Sequence, residues 1–180
     1  MLRIVERMEQ DQTEPVRRRT LVTGGSGFIG TNLVGSLLAD GWPVLSIDIA
    51  PPKVVGHRDV WRQLDILDKD GLAKAVAGWR PELVIHLAAR TDLDEHRDLG
   101  GYATNIDGVA NLISAVRAAG SVDRSIFASS RLVFDIGYEP ASETDYHAST
   151  LYGQSKARGE ELVRKASDGV GSWKIGRAHV

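Results

Sequence analysis

Tyr152 and Lys156 stand four residues apart in the run Tyr152-Gly153-Gln154-Ser155-Lys156. On a helix that spacing puts both side chains on one face. A free phenol, with a pKa near ~10, is a poor base at neutral pH. An adjacent ammonium stabilises the phenolate and lowers that value. A phenolate tuned in this way takes a proton from a hydroxyl while hydride leaves the same carbon. Ser129 and Ser130 lie at the C-terminal end of the strand-like run 124–129. Ligands of open α/β sheets bind beyond the carboxyl ends of strands, so a hydroxyl there can hold a substrate oxygen against Tyr152. Neither feature is specific alone. Tyr-x-x-x-Lys pairs arise on exposed helix faces, and serine often caps a strand end.

The stronger local signal lies upstream, in Thr23-Gly24-Gly25-Ser26-Gly27-Phe28-Ile29-Gly30. It follows a strand-like run (19–23, RTLVT) and opens a helical one (28–39). That context makes a glycine pattern a phosphate-binding turn. Gly24 or Gly25 permits the tight turn. Gly27 lets the backbone approach a pyrophosphate, and Gly30 lets the helix lie close against the strand. Amides at the helix N-terminus then face the phosphates. The turn therefore implies a dinucleotide. Asp48 ends the next strand-like run, 24 residues after Gly24. A carboxylate there accepts hydrogen bonds from the adenosine ribose and repels a 2′-phosphate. No Arg or Lys occupies 49–52, so NAD is expected rather than NADP.

These residues need a scaffold, and the rest of the pattern supplies one. Strand-like runs fall at 19–23, 43–48, 60–64, 83–87, 124–129 and 172–175. Helical runs fall at 28–39, 71–79, 101–119 and 151–165. Such alternation predicts an α/β fold, a Rossmann-type doubly wound parallel sheet. His86 lies in the nearly continuous apolar run 83–87 and is expected to be buried there as a packing or supporting residue. The other histidines show no ligand spacing, and no metal site is expected. The 180 residues carry a net charge of −2 and no cysteine. That balance gives no electrostatic case for nucleic acid or an anionic membrane, and the missing thiols remove disulfides and a cysteine nucleophile. No apolar run reaches the length of a membrane span. A cytoplasmic protein with a polar N-terminal tail at 1–18 is the expectation.

Taken together, the chain resembles the extended short-chain dehydrogenases, the NAD-dependent epimerases and dehydratases of nucleotide sugars. The resemblance rests on TGGSGFIG at 23–30, Asp48, LDILD at 64–68, VIHLAA at 84–89, TNIDGVANLI at 104–113, FASSRLVF at 127–134 and YGQSKARGE at 152–160. It implies that Tyr152 is the catalytic base and Lys156 its partner, which also binds the nicotinamide ribose. It implies that Ser130 is the catalytic hydroxyl. Gly24, Gly27, Phe28, Ile29 and Gly30 would cradle the cofactor. Asp65 and Ile66 would sit near adenine, Leu87, Ala88 and Ala89 would lie along the cofactor, and Asn105 would support the scaffold. The substrate would be a nucleotide sugar, oxidised at C4 as in 4-epimerisation. The family's dehydratases follow the catalytic Thr with Asp and Glu. Arg131 and Leu132 stand there instead, which argues against that subclass. Other readings are a non-catalytic NAD-binding module and a reductase of another carbonyl compound. A homodimer through the helices at 101–119 and 151–165 is the partner arrangement the resemblance implies.

The resemblance also implies a substrate-binding lobe after the sixth strand, and this lobe is expected to be missing, leaving at most weak NAD affinity and no turnover. The NAD-binding domain is placed at 19–174. Residues 175–180, Ile-Gly-Arg-Ala-His-Val, match the translation of a common sequencing adapter (ATC-GGA-AGA-GCA-CAC-GTC-TGA), stop codon included, and are expected to be non-native. Resequencing the source locus checks this. The expected frame departs from the chain after Lys174. A genomic frame that encodes 175–180 and then stops rejects the idea.

Overall fold

The computed structural model describes residues 16–95, 97–166 and 171–178. The expected tail at 1–18 falls largely outside these residues, as do His179 and Val180. Six strands form one wholly parallel sheet. They are β1 (Thr20–Thr23), β2 (Val44–Asp48), β3 (Trp61–Gln63), β4 (Leu83–His86), β5 (Arg124–Ser130) and β6 (Ser172–Ala178). Their order across the sheet is β3-β2-β1-β4-β5-β6. The order reverses between β1 and β4, the crevice where dinucleotides bind in such sheets. Four helices connect the strands: α1 (Phe28–Ala39), α2 (Lys69–Trp79), α3 (Ala103–Ala119) and α4 (Leu151–Lys165).

Successive strand residues face opposite sides, and both sides are covered. Leu21, Ile47, Val84 and Phe127 meet Leu72 and Val76 of α2, Leu112 and Val116 of α3 and Val163 of α4. Val22 and Val44 meet Val34 and Leu37 of α1 on the other side. This two-sided burial explains why β4 reads as a nearly continuous apolar run.

Boundaries follow local chemistry. The sequence pattern starts α2 at Gly71, but the helix begins at Lys69 because the Asp68 side chain accepts from the Gly71 amide at 3.0 Å. The run expected to be helical from 101 opens as a 3₁₀ turn, Leu99–Tyr102, capped by Asp98 on the Gly100 amide at 2.7 Å, before α3. Val60 belongs to another 3₁₀ turn, Val55–Val60, rather than to β3. β6 continues to Ala178, past the Ile175 at which its pattern stops. The open edge of β5 supplies the partners: Ala128 pairs with Gly176, Ser129 with Arg177 and Ser130 with Ala178. Residues 175–178, set aside in the sequence reading, thus belong to the sheet.

Leu112 is fully buried between α3 and the sheet. Leu112→Ala should cost about 2–5 kcal/mol. Urea denaturation followed by far-UV circular dichroism measures it. A loss well under ~1 kcal/mol contradicts this packing.

Candidate active site

The strand that ends at Thr23 turns sharply, and the turn is held by backbone. The Gly24 amide donates to the Ile47 carbonyl at 2.9 Å, and Gly27 donates back to Gly24 at 3.2 Å. Gly24 has φ +73°, and a Cβ there would lie 2.5 Å from the Ala88 nitrogen. A Cβ on Gly30 would come within 2.6 Å of Gly25 Cα. No side chain caps α1 and no acidic residue stands in its first turn. Its N-terminal amides are therefore open to a partner in the adjoining space, and such an end favours an anion. Asp48 organises the neighbouring backbone: one carboxylate oxygen accepts from the Ser26 amide and the other from the Ala50 amide, each at 3.0 Å.

Between this turn and the start of α4 runs a cleft of about 610 Å³. That volume suits a small-molecule ligand or cofactor. The structure brings Gly24, Gly27, Phe28, Ile29, Gly30, Asp48, Asp65, Ile66, Leu87, Ala88, Ala89, Tyr152 and Lys156 to its wall. Phe28, 82% exposed, and Ile29 form an apolar lip at the mouth. Sequence reasoning missed Ser26, Thr91 and Thr104 in the wall, whereas Ser129, raised there together with Ser130, lines it. Ser26 was within reach, since it stands inside the glycine motif.

α4 positions the reactive pair. Its N-cap, Thr150, accepts from the Gly153 amide at 3.0 Å. Gly153 lets this first turn press against the Leu132 carbonyl, where a Cβ would collide. Tyr152 is thereby set beside Ser130. A hydrogen bond from Ser130 pulls the Tyr152 pKa down, but burial is the larger effect and the phenol stands above its ordinary value. The lowered value expected from Lys156 alone is not what this geometry produces. Lys156 is 7% exposed, and its Nζ donates to the Ala128 carbonyl at 2.8 Å. Burial lowers its pKa to about 8, against the opposing pull of Glu160. Lys156 thus remains largely charged at neutral pH. Ser130 adjoins Tyr152, and its Oγ also accepts from Leu132 at 3.1 Å.

Support residues close around the site. Asn105 Oδ1 accepts from the Arg90 amide, while Nδ2 donates to the Arg90 carbonyl and to Ser155 Oγ, all at 2.9 Å. Ser155 Oγ in turn donates to the Tyr152 carbonyl at 2.7 Å. Tyr102, fully buried, places its ring 6.0 Å from that of Tyr152. His86 Nδ1 meets Thr23 Oγ1 at 2.6 Å, its ring abuts Phe127, and burial drops its pKa to about 3. It is a neutral core histidine.

A family profile described as the NAD dependent epimerase/dehydratase family matches residues 20–178. The chain belongs to this family. Its members are NAD-dependent enzymes of the oxidoreductase type. The chain is 37% identical over 165 residues to 3 beta-hydroxysteroid dehydrogenase/Delta 5→4-isomerase of Mycobacterium tuberculosis, covering 84% of this chain and 43% of that protein. UDP-glucose 4-epimerase of Thermotoga maritima, solved with UDP-glucose, superposes with a TM-score of 0.77 at 27% identity, over 88% of this chain and 54% of that one. A short-chain dehydrogenase/reductase superfamily protein of Agrobacterium tumefaciens with bound NAD gives 0.76 at 30% identity, over 88% and 48%. The chain spans about half the length of these relatives.

The glycine turn and the Asp48 carboxylate fit NAD, and a cofactor-binding test follows. Asp48→Ala should weaken NAD⁺ binding about tenfold or more, the value of a hydrogen bond to a charged group, and weaken NADP⁺ binding less. Isothermal titration calorimetry reads both. Unchanged NAD⁺ affinity contradicts the assignment of Asp48.

Proposed function

We propose that this chain is the cofactor-binding and proton-transferring half of an enzyme that oxidises a hydroxyl group of a nucleotide sugar, at C4 in a 4-epimerisation. The observation that carries the reading is Tyr152, hydrogen-bonded to Ser130 at one end of a cleft whose other end is the glycine turn. Asp48 would hold the adenosine ribose, and the α1 N-terminus the pyrophosphate. Leu87, Ala88 and Ala89 would form the wall along the cofactor. Lys156 would reach the nicotinamide ribose. Bound in this cleft, NAD⁺ supplies the hydride acceptor.

The remaining chemistry belongs to the chain. Tyr152 accepts the hydroxyl proton. Its raised pKa makes the free phenol a weak acid, so the phenolate needs help from its neighbours. Ser130 gives one hydrogen bond, and the Lys156 ammonium on the same helix face gives positive charge. Ser130 also offers its hydroxyl to the substrate oxygen. Arg131 and Leu132 provide no acid and base pair for loss of water, in agreement with epimerisation rather than dehydration. The likeness to the Thermotoga epimerase supports the sugar substrate.

A second reading, a dehydrogenase of a non-sugar alcohol, draws support from the mycobacterial hydroxysteroid dehydrogenase. Both readings share the Tyr152 step. The proposed dimer would use α3 and α4, which pack together beside the site.

Two outcomes separate these readings. The full-length protein should convert a UDP-hexose to its C4 epimer without net NADH. NADH accumulating with a 3β-hydroxysteroid and no action on sugars selects the second reading. In either case Tyr152→Phe should lower kcat by ~10²-fold or more while NAD⁺ binding survives. Turnover that persists in Tyr152→Phe rejects catalysis by this residue.

A further inference from the structure

Behind Lys156, on the side away from the cleft, lies a buried carboxylate that the proton transfer above does not use. Glu160 is 3% exposed. Its Oε1 accepts from Ser129 Oγ at 2.6 Å and from Arg177 Nε at 2.8 Å. Its Oε2 accepts from the Tyr146 hydroxyl at 3.0 Å and from Arg177 Nη2 at 2.5 Å. Arg164 Nη2 stands 3.8 Å away and also pairs with Glu143 at 3.1 Å. Glu160 follows Lys156 by four residues, so both project from one face of α4. Both line a small cavity between α4 and the strands β4 and β5, which also receives His86 and Ser129.

We propose that Glu160 is a positioning residue for the proton-transfer site: its buried carboxylate is the counter-charge of the Lys156 ammonium and ties the end of β5 to α4.

The charge layout requires such a group. Glu160 is a buried carboxylate one helical turn beyond Lys156, and both side chains line the same small cavity. A desolvated ammonium with no carboxylate near it loses its proton more readily. Among the described residues, the other groups facing Lys156 carry no charge that could substitute. His86 on β4 is neutral, with its pKa near 3. β5 presents the Ala128 carbonyl and the Ser129 hydroxyl, and α3 presents Val109. On α4 itself Tyr152 is a neutral phenol with a raised pKa. Burial lowers the Lys156 pKa to about 8, and Glu160 is the group that opposes this fall. Geometry acts in the same direction. Ser129 precedes Ser130, the residue that bonds Tyr152, and Ala128 accepts from Lys156. Glu160 therefore holds the short stretch of β5 on which both reactive partners depend.

This role rests on the proposed function only for its use in catalysis, and it is measurable on the chain itself. Protein labelled with [¹³C]lysine gives the titration midpoint of Lys156 by NMR, assigned by loss of the signal in Lys156→Arg. Glu160→Gln keeps the shape of the side chain and removes its charge. It should lower the Lys156 midpoint by about one pH unit or more, the effect of losing a close opposite charge. Ser129→Ala cuts the tie to β5 and keeps the carboxylate. It should leave the midpoint nearly unchanged. A purely structural clamp would move both variants in the same direction or in neither. A midpoint unchanged in Glu160→Gln overturns the proposal. Should Glu160→Gln fail to fold by circular dichroism, a Ser129→Ala midpoint that falls by about one pH unit or more overturns it instead. NAD⁺ titration of the same samples separates the two claims. Midpoints that move as expected without NAD⁺ binding uphold Glu160 and reject the cofactor reading. NAD⁺ binding with unmoved midpoints does the reverse.

Discussion

Close approach of bare backbone is the constraint from which the site is built. Gly24 faces the Ala88 nitrogen across a gap that a single methyl group would fill, and Gly30 does the same against Gly25. These contacts bring the end of β1, the end of β4 and the start of α1 to one point. Only then can α1 direct an uncapped N-terminus into the cleft, with Asp48 on one flank and Leu87 to Ala89 on the other. The parallel sheet contributes the rest by register. β1 lies between β2 and β4, so their carboxyl ends finish on one rim, and the order reverses there. A ligand bound on that rim meets the backbone amides of α1, a helix that carries no charged side chain.

The far end of the cleft works by a different physics. There the groups are partly or wholly desolvated, and each one shifts its neighbour. Burial pushes the Tyr152 phenol up and the Lys156 ammonium down, both toward their neutral forms. Ser130 and Glu160 oppose these shifts, one for each partner. The reactive pair is therefore not self-sufficient. Its charge state is set by residues on β5 and α4 that stand behind it.

Much of this was legible in the sequence, and the pattern of success has a physical cause. α1 and α4 match their expected spans residue for residue, because apolar periodicity and flanking glycine or threonine are local signals. The glycine turn, Asp48 and the Tyr-Lys spacing are also local, and the sheet gathers them on one wall. What escaped was non-local or subtle. Glu160 and Arg177 meet across 17 residues and two elements, and no spacing rule links them. The extension of β6 depends on the edge of β5 as a template rather than on its own alternation. The upward shift of Tyr152 depends on burial, which the Tyr-x-x-x-Lys pattern does not encode.

Asn105 shows what the tight packing around the site entails. Its carbonyl oxygen and its amide nitrogen are all engaged, with the Arg90 backbone on one side and Ser155 on the other. The amide cannot be turned end for end without placing donor against donor and acceptor against acceptor. It works as a key that fits its lock in one orientation. The loop leaving β4 and the helix bearing Tyr152 therefore share a single rotational setting. Any motion that opens the loop must also loosen the grip on Ser155, and through it the carbonyl of Tyr152 itself. In mechanical terms the floor of the cleft and its reactive end form one linkage, joined at a pivot of one side chain.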